Sequence, residues 1–574
     1  MTMDSSQKFR SRIILVLIAC GAAALVLALG KIQIINGQTY TAKANSQYIR
    51  PQKNIFDRGS IYFTDKDGTK VAAASLKSGY IVYMNPSLLD KPSSVYEALS
   101  EYLDLDKTDV LAKATKRGDQ YEELASRVPE ATALSIKSLN IAGVGVNKET
   151  WRVYPGGSIA AHELGLVGED ATTKTVSGRY GLERTYNSVL DRLGTGSSVN
   201  AFAQLFIGLK DSLFGQSRAN EGDVVTTIEP TVERYLEKIL KETSGTWKPD
   251  EIGGIIIDPK TGEIVAMSSW PSFDPNNTAS VKDARAFSDP LIENVYEMGS
   301  IMKPLTMATA LDTGAEKVDS TYDDTGTMTL SGKKISNFDG KARGIIPMQE
   351  ILSQSLNVGA ATIALKVGKN DFSKYFLNFG LGDKTGIDLP NEATGIVNNL
   401  KTGRDVEIAT AAYGQGLAIS PINMTRALSV LANGGYVLTP HLGKRIEYAD
   451  GRSEPVVPKL GKSVLSTQTV NEVTDMLVKV VDEALLKGAI KMDRYRIAAK
   501  TGTAQIPDHV KGGYYSDRYL HSFFGYFPAH DPKFLVFLYQ VYPKGAEYAS
   551  ATLTSPFQQI TKFLIDYYNI PPDR

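Results

Sequence analysis

A serine and a lysine stand three residues apart in the stretch EMGSIMKP, at Ser300 and Lys303. On a helix, that spacing places both side chains on one face. A hydroxyl beside an amine is a nucleophile beside its base, provided the amine is uncharged. Burial and neighbouring positive charge both push a lysine toward the neutral form. A helix starting at Ser300 adds the positive end of its dipole, which favours neutral lysine and developing negative charge. Pro304 fits such a start, because N–H groups of the first turn lack intrahelical partners. The same spacing recurs at Ser5/Lys8 and Ser331/Lys334, in less promising places. The stretch alone therefore also reads as a polar helix start without chemistry.

Acyl chemistry on Ser300 needs further parts. A second hydroxyl must pass a proton to the leaving group, and an amide must hold the substrate. A cation must bind a carboxylate, and a strand edge must offer an N–H to the oxyanion. Ser355-Leu356-Asn357 and Lys500-Thr501-Gly502 are the candidates. Ser138-Leu139-Asn140 and Ser198-Val199-Asn200 match the first pattern, and Lys260-Thr261-Gly262, Lys384-Thr385-Gly386 and Lys401-Thr402-Gly403 match the second. An isolated match reads as a turn or a solvated helix face. Order and context separate the candidates. Ser300, Ser355 and Lys500 follow one another in the second half, and Lys500 ends an apolar run, RIAAK, that reads as a strand. Gly502 removes bulk where a ligand must come close. Other hydrolase machinery is sparse. The chain has five histidines, His162, His441, His509, His521 and His530, and each reads as structural. His162-Glu163 lacks the second histidine of a zinc peptidase helix, and no serine sits in a G-x-S-x-G elbow. A serine–histidine–aspartate triad built from distant residues stays open.

The elements that must position these groups divide into two textures. From about Gln33 to Trp247 the pattern is mixed, with a strand at Gly79–Tyr83 and amphipathic helices at Ser94–Leu105 and Asp119–Val128. Asp191–Gly222 reads as a loop packing on its own domain, the rival being a long surface flap. From Lys248 onward strands and helices mix without a βα rhythm. Gly254–Asp258 and Ile264–Ser269 form a hairpin, and strands recur at Arg496–Lys500, Ser522–Phe527 and Phe534–Gln540. Helices are predicted at Ser300–Thr313, Pro347–Val367, Pro421–Asn433, Thr467–Leu486 and Ser555–Tyr568. This half reads as one α+β domain, an antiparallel sheet covered by helices.

Bulk composition bounds the rest. The 574 residues are 42% hydrophobic, and Lys+Arg equals Asp+Glu at 63 each, so no basic excess points to nucleic acid. One cysteine, Cys20, excludes a disulfide framework and cysteine-rich metal sites. Ile13–Gly30 is an uncharged run behind Lys8, Arg10 and Arg12. It is long enough to span a bilayer with the N-terminus inside. It exceeds the apolar core of a cleaved signal peptide, the rival reading.

Taken together, Ser300-x-x-Lys303, Ser355-x-Asn357 and Lys500-Thr501-Gly502, in this order, resemble the penicillin-binding protein and serine β-lactamase superfamily. DPKTGEIVAMSSWPSFDPN before EMGSIMKP, with GQGLAISPINMTRALSVLANGG and HSFFGYFPAHDP after it, is similar to class B penicillin-binding proteins. Upstream, DRGSIYFTDKDG, RVYPGGSIAAHELGLVG and RYGLERTYN resemble the non-catalytic pedestal of that class. The resemblance covers about Ile55 to Asp531. It departs at Met298, where proline is usual, at Leu356, where serine is frequent in division enzymes, and at Ala499, where glycine is common.

The resemblance implies a cytoplasmic tail at 1–12, a transmembrane anchor at 13–30, an elongated mixed α/β pedestal of dimerisation type at 31–250 and a transpeptidase domain at 251–574. It implies Ser300 as acylated nucleophile and Lys303 as its base. Ser355 would relay the proton and Asn357 would hold the donor peptide. Lys500 and Thr501 would bind the terminal carboxylate, with Gly502 giving backbone access. The N–H groups of Ser300 and Thr503 would form the oxyanion hole. No cofactor or metal is implied. The expected substrate is the D-Ala-D-Ala end of a peptidoglycan stem peptide, cross-linked outside the cytoplasmic membrane with release of D-Ala, and the expected inhibitors are β-lactams. A membrane glycan polymerase of the SEDS type and divisome or elongasome proteins are the implied partners, with a division or sporulation role favoured over elongation. Two rivals share the motifs: a D,D-carboxypeptidase or β-lactamase passing the acyl group to water, and an inactive scaffold of the wall-synthesis complex.

Overall fold

The computed structural model describes residues 57–169, 176–192, 220–458, 461–508 and 510–574. The expected tail and anchor, and most of the Asp191–Gly222 segment, lie outside the described residues. Among the described residues no helix is long and apolar enough to cross a membrane. The chain divides into two compact units: Lys77–Trp151, and the described parts of Arg58–Leu76, Arg152–Leu193 and Asp211–Arg574.

Near the start of the described chain, β1 (Ile61–Thr64) pairs antiparallel with the first residues of β2 (Lys70–Met84), Thr64 opposite Lys70. In the smaller unit the far end of β2 pairs antiparallel with β3 (Glu122–Val128), Tyr80 opposite Val128 and Met84 opposite Glu122. The helix predicted over Asp119–Val128 is thus a strand. Its polar residues suit a helix face by count, but backbone pairing to β2 overrides local preference, as context often does for strands. Helices α1 (Pro92–Ser100), α2 (Lys107–Ala114) and α3 (Glu130–Ser138) cover this pair. Val82, Met84, Val95, Leu99, Val128 and Ile136 are buried between them. Helix α1 stops at Ser100, short of the predicted Leu105.

The larger unit carries a buried charge cluster ahead of its main sheet. Arg58 Nε and Arg152 Nε each lie 2.6 Å from one carboxylate oxygen of Glu183, and all three side chains are buried. Arg58 also donates to the Glu183 carbonyl and to Asn187 Oδ1, and Arg152 donates to the Gly59 carbonyl. A Cβ on Gly59 would fall 2.0 Å from the Gly222 carbonyl oxygen. Arg58 and Gly59 therefore serve packing, and losing Glu183 alone would strand two guanidiniums, at about 3–5 kcal/mol.

Helix α4 (Pro230–Trp247) begins where the Glu229 side chain accepts the Val232 N–H, with proline in its first turn. Its apolar stripe of Val232, Leu236, Ile239 and Leu240 packs against the main sheet. That sheet has β4 (Glu251–Ile257), β5 (Ile264–Trp270), β6 (Ala498–Pro507), β7 (Tyr514–Phe527) and β8 (Phe534–Val541), in the antiparallel order β6-β7-β8-β4-β5. Helix α5 (Thr554–Tyr568) lies beside α4, Phe563 stacked on Tyr235 with centroids 3.9 Å apart. The two faces of the sheet are covered, so β4 reads as a continuous buried run, IGGIII. Strand β6 is at the sheet edge and β7 is longer than predicted. Lys500 lies inside β6, third from its start, rather than ending a strand.

Candidate active site

Edge strand β6 forms one wall of a cleft of 620 Å³. Its side chains alternate, with Lys500, Gly502 and Ala504 buried while Thr501, Thr503 and Gln505 line the cleft. Against this wall sits the turn Gly299–Met302, followed by helix Lys303–Asp312. Ser300 occupies a tight 3-10 turn, one step before the α-helix, and Pro304 stands in that helix's first turn. The Gly299 N–H donates to the Gly414 carbonyl, and Gly299 has φ +66°. Ser522 Oγ donates to the Met298 carbonyl at 2.8 Å.

Gly502 is what lets the turn approach so closely. A Cβ there would lie 2.3 Å from Ser522 Oγ, 2.7 Å from the Met298 carbonyl oxygen and 3.0 Å from the Ile301 nitrogen. From its place beside Lys500 and Thr501, the small size of Gly502 is expected to give a ligand access. The close neighbours are instead the protein's own Ser522 hydroxyl and two backbone atoms of the serine turn, and the glycine seats the turn that carries Ser300.

The opposite wall comes from a helix that fails to form. The single helix predicted over Pro347–Val367 is two, Gln349–Ser353 and Asn357–Val367. Between them Ser355 adopts φ +56°, the left-handed region, and the Leu356 N–H reaches back to the Ile351 carbonyl. The break turns Ser355 and Asn357 toward Lys303. Lys303 Nζ donates to the Ser355 carbonyl at 2.5 Å, to Ser355 Oγ at 3.2 Å and to Asn357 Oδ1 at 2.8 Å. Lys500 Nζ donates to the same Ser355 Oγ at 3.0 Å and to the Thr501 carbonyl at 3.0 Å. Asn357 Nδ2 donates to the Ser336 carbonyl. Its oxygen and one N–H are thus committed, leaving one N–H for the cleft.

Both lysines are buried, and no carboxylate pairs with either ammonium in the hydrogen bonds just given. Burial, with the charge of Lys500 added, holds Lys303 well below the usual lysine range. Burial brings Lys500 down to about 7. Ser300 is partly exposed and lines the cleft with Ser355, Asn357, Thr501 and Thr503. Two buried amines whose charged forms burial disfavours, joined through the Ser355 hydroxyl that lines the cleft with Ser300, are an arrangement able to take up and deliver protons at neutral pH.

The motif copies set aside in the sequence lie elsewhere. Lys260 pairs with Asp531 in a hairpin turn, and Ser138 ends α3 in the smaller unit. Ser331 lies in a ribbon turn at φ +49°, but Lys334 of that same copy lines the cleft, a placement its sequence context did not reveal. Other lining residues were missed too: Phe338, Tyr413, Gln505, Tyr519, Glu547 and Tyr548. Tyr413 opens the Y-G-Q-G stretch, whose glycines at positive φ signalled a close approach. The rest gave no local signal. Of the histidines, His162 and His521 are buried with backbone carbonyl partners, and His441 contacts the Thr439 carbonyl. His509 lies outside the described residues.

An α+β unit with this sheet order, a serine-bearing turn packed on its edge strand and two buried lysines beneath defines a serine acyl-transfer class. The penicillin binding protein transpeptidase domain matches residues 252–562, and the penicillin-binding protein dimerisation domain matches residues 56–195. The chain belongs to the penicillin-binding protein transpeptidase family. It is 31% identical to stage V sporulation protein D of Bacillus subtilis over 96% of this chain and 85% of that one. It is 26% identical to peptidoglycan D,D-transpeptidase FtsI of Escherichia coli over 96% and 92%. The crystal structure of penicillin binding protein 2X from Streptococcus thermophilus matches with a TM-score of 0.74 at 20% identity, covering 90% of this chain and 80% of that one. Penicillin binding protein 3 from Mycobacterium tuberculosis, complexed with aztreonam, matches with a TM-score of 0.69 at 22% identity over 91% and 98%.

Proposed function

We propose that this chain is a serine peptidoglycan D,D-transpeptidase acting in cell-wall synthesis, at division or sporulation. The observation that carries the reading is the joined set Lys303–Ser355–Lys500 under a cleft lined by Ser300. Neutral Lys303 takes the Ser300 proton, and Ser300 Oγ attacks the penultimate D-Ala carbonyl of a stem peptide. The N–H groups of Ser300 and Thr503 receive the oxyanion. Ser355 delivers the proton to the leaving nitrogen, the C–N bond breaks and D-Ala departs. Lys500 and Thr501 hold the carboxylate, Asn357 steadies Lys303 and the donor peptide, and Gly502 seats the serine turn. An amine from a second stem then displaces Ser300 from the ester, forming the cross-link.

The names of the relatives support the division or sporulation setting. The aztreonam complex of the structural neighbour supports β-lactams as inhibitors. The division into a tail at 1–12, an anchor at 13–30, a pedestal at 31–250 and a catalytic domain at 251–574 belongs to the same reading. The anchor would hold the catalytic domain outside the cytoplasmic membrane, near a SEDS-type glycan polymerase and the divisome. A fluorescent penicillin should label the purified protein and leave Ser300→Ala unlabelled, and equal labelling would overturn the site. Dimeric muropeptide among the products separates transfer from hydrolysis.

A further inference from the structure

The proposed first half-reaction explains the cations of the cleft floor but not the charge at its mouth. Lys303 and Lys500 suit a donor with a free carboxylate. The second half-reaction needs the opposite: a primary amine, cationic in solution with a pKa near 10, must enter the same cleft. Glu547 is the single acidic residue among those lining it, and Lys334 is the single solvent-exposed lysine.

Glu547 sits on the segment between β8 and the short helix Ala549–Thr552. Two hydrogen bonds fasten that segment to one cross-strand pair of the active-site wall, Thr503 opposite His521. The Glu547 carbonyl faces His521 Nε2 at 3.0 Å, and the Ala549 N–H donates to Thr503 Oγ1 at 3.1 Å. Burial keeps His521 neutral, down to about 4. Its ring therefore donates to the Glu547 carbonyl from Nε2 and accepts from Thr552 Oγ1 at Nδ1. Thr503 in turn backs the Ser300 turn, since a Cβ on Gly299 would lie 2.8 Å from the Thr503 carbonyl oxygen. The acidic residue is tied to the serine through the strand itself. After burial, the charge of Glu547 helps raise the Tyr519 phenol. The Glu547 side chain also helps raise Tyr548, which places the carboxylate near both rings. Beside it, Phe338 and Tyr548 meet edge to face across the cleft mouth, 59% and 44% exposed. They offer an apolar wall to the aliphatic stem of a long amine.

We propose that Glu547 binds the acceptor, selecting a cationic primary amine on an aliphatic stem for attack on the Ser300 ester. The proposal rests on the transpeptidase reading of the site. Glu547 is a specificity-determining residue, acting in the second half-reaction only: it holds the ammonium at the mouth. The ammonium gives one proton to solvent before its nitrogen attacks, a second N–H proton passes through Lys303 to Ser300 Oγ as the ester C–O bond breaks, and the third stays in the amide N–H.

The test uses the full-length protein in detergent, a thioester donor, and Nα-acetyl-L-lysine as acceptor, with transfer and hydrolysis products counted separately. Acylation of Glu547→Gln by fluorescent penicillin should match the parent within about twofold, as expected of a residue outside the first half-reaction. The KM for Nα-acetyl-L-lysine should rise, and the transfer-to-hydrolysis ratio fall, by about fivefold, the scale of a partly exposed ion pair. Glu547→Asp should recover part of the loss. The parent's acceptor KM should rise with ionic strength while the Gln variant's stays flat. An unchanged ratio and salt response in Glu547→Gln, or a parent that is acylated normally but transfers nothing to this amine, would overturn the proposal. Failure of the parent to be acylated at all would instead overturn the site beneath it.

Discussion

Lys303 and Lys500 donate to one and the same oxygen, Ser355 Oγ, from 3.2 Å and 3.0 Å. Two ammoniums on one hydroxyl would repel each other and leave its proton no acceptor among them. The arrangement is satisfied when Lys303 is neutral: its two N–H groups go to the Ser355 carbonyl and Asn357 Oδ1, and its lone pair accepts the Ser355 hydroxyl proton while Lys500 keeps the charge. Burial acts on both, and the added charge of Lys500 acts on Lys303.

The pH dependence of acylation follows. Burial and the charge of Lys500 favour the neutral form of Lys303, whereas Lys500 loses its charge as pH rises through about 7. Acylation by benzylpenicillin, measured as its second-order rate constant, should therefore fall on the alkaline side of about 7. In Lys500→Arg the cation does not titrate, and the alkaline limb should move beyond about pH 9. A limb left in place would show that another group carries it.

Ser355 joins a chemical role to a strained backbone. Ser355→Ala and Ser355→Gly should both lower acylation by about 10²–10⁴-fold, the range of a lost proton relay. At φ +56° a side chain is disfavoured by about 1–2 kcal/mol. The Gly variant should thus resist urea better than the Ala variant. Equal acylation in parent and variants would remove Ser355 from the relay.

Gly502→Ala tests the seating of the serine turn. The added methyl would collide with Ser522 Oγ and with two backbone atoms that cannot rotate away. Expected are a loss of about 1–3 kcal/mol in stability and a loss of penicillin labelling out of proportion to it. Thermal melting and labelling of one preparation measure both. A labelled, fully stable variant would place the pressure elsewhere.

A group of buried acids in the larger unit makes stability depend on pH. Glu163, Glu233 and Asp289 are buried, and each has one carboxyl oxygen without a hydrogen-bond partner. Burial, with repulsion from neighbouring acids added, raises Glu163 and Glu233 well above the usual range; burial, with repulsion from Glu293 and Glu251, raises Asp289 to about 7. The unfolded groups titrate near 4. Between those values the folded protein binds more protons than the unfolded one, so stability is full below about 4 and declines as pH rises through about 7. Melting temperature should drop by several degrees from about pH 5 to about pH 7.5. Asp289→Asn, which keeps the cap on the Leu291 N–H, should flatten that slope. An equal slope in parent and variant would refute the assignment.

Much of the fold was legible because its signals are local. The hairpin of β4 and β5, strand β8 and helix α5 are periodic or apolar runs read within a window of a few residues. Asp119–Val128 was not, because its polar pattern fits a helix until β2 supplies an edge to pair with. Pro347–Val367 was not, because nothing at Ser355 forbids a helix; the break is sustained by contacts from Lys303 and Lys500. The cleft wall at Phe338, Glu547 and Tyr548 comes from segments distant in the chain, with no shared motif.

By itself, the amino-acid sequence determined which groups were available: the serine and lysine at 300 and 303, the serine and amide at 355 and 357, and the strand segment 500–503, in that order. Only the tertiary structure decided that two buried lysines would meet on one hydroxyl, and that a carboxylate would stand at the entrance. Spacing along a chain governs neighbours within a turn or a strand. Charge state depends on desolvation and on partners more than a hundred residues away, and those exist only once the sheet and helices have packed.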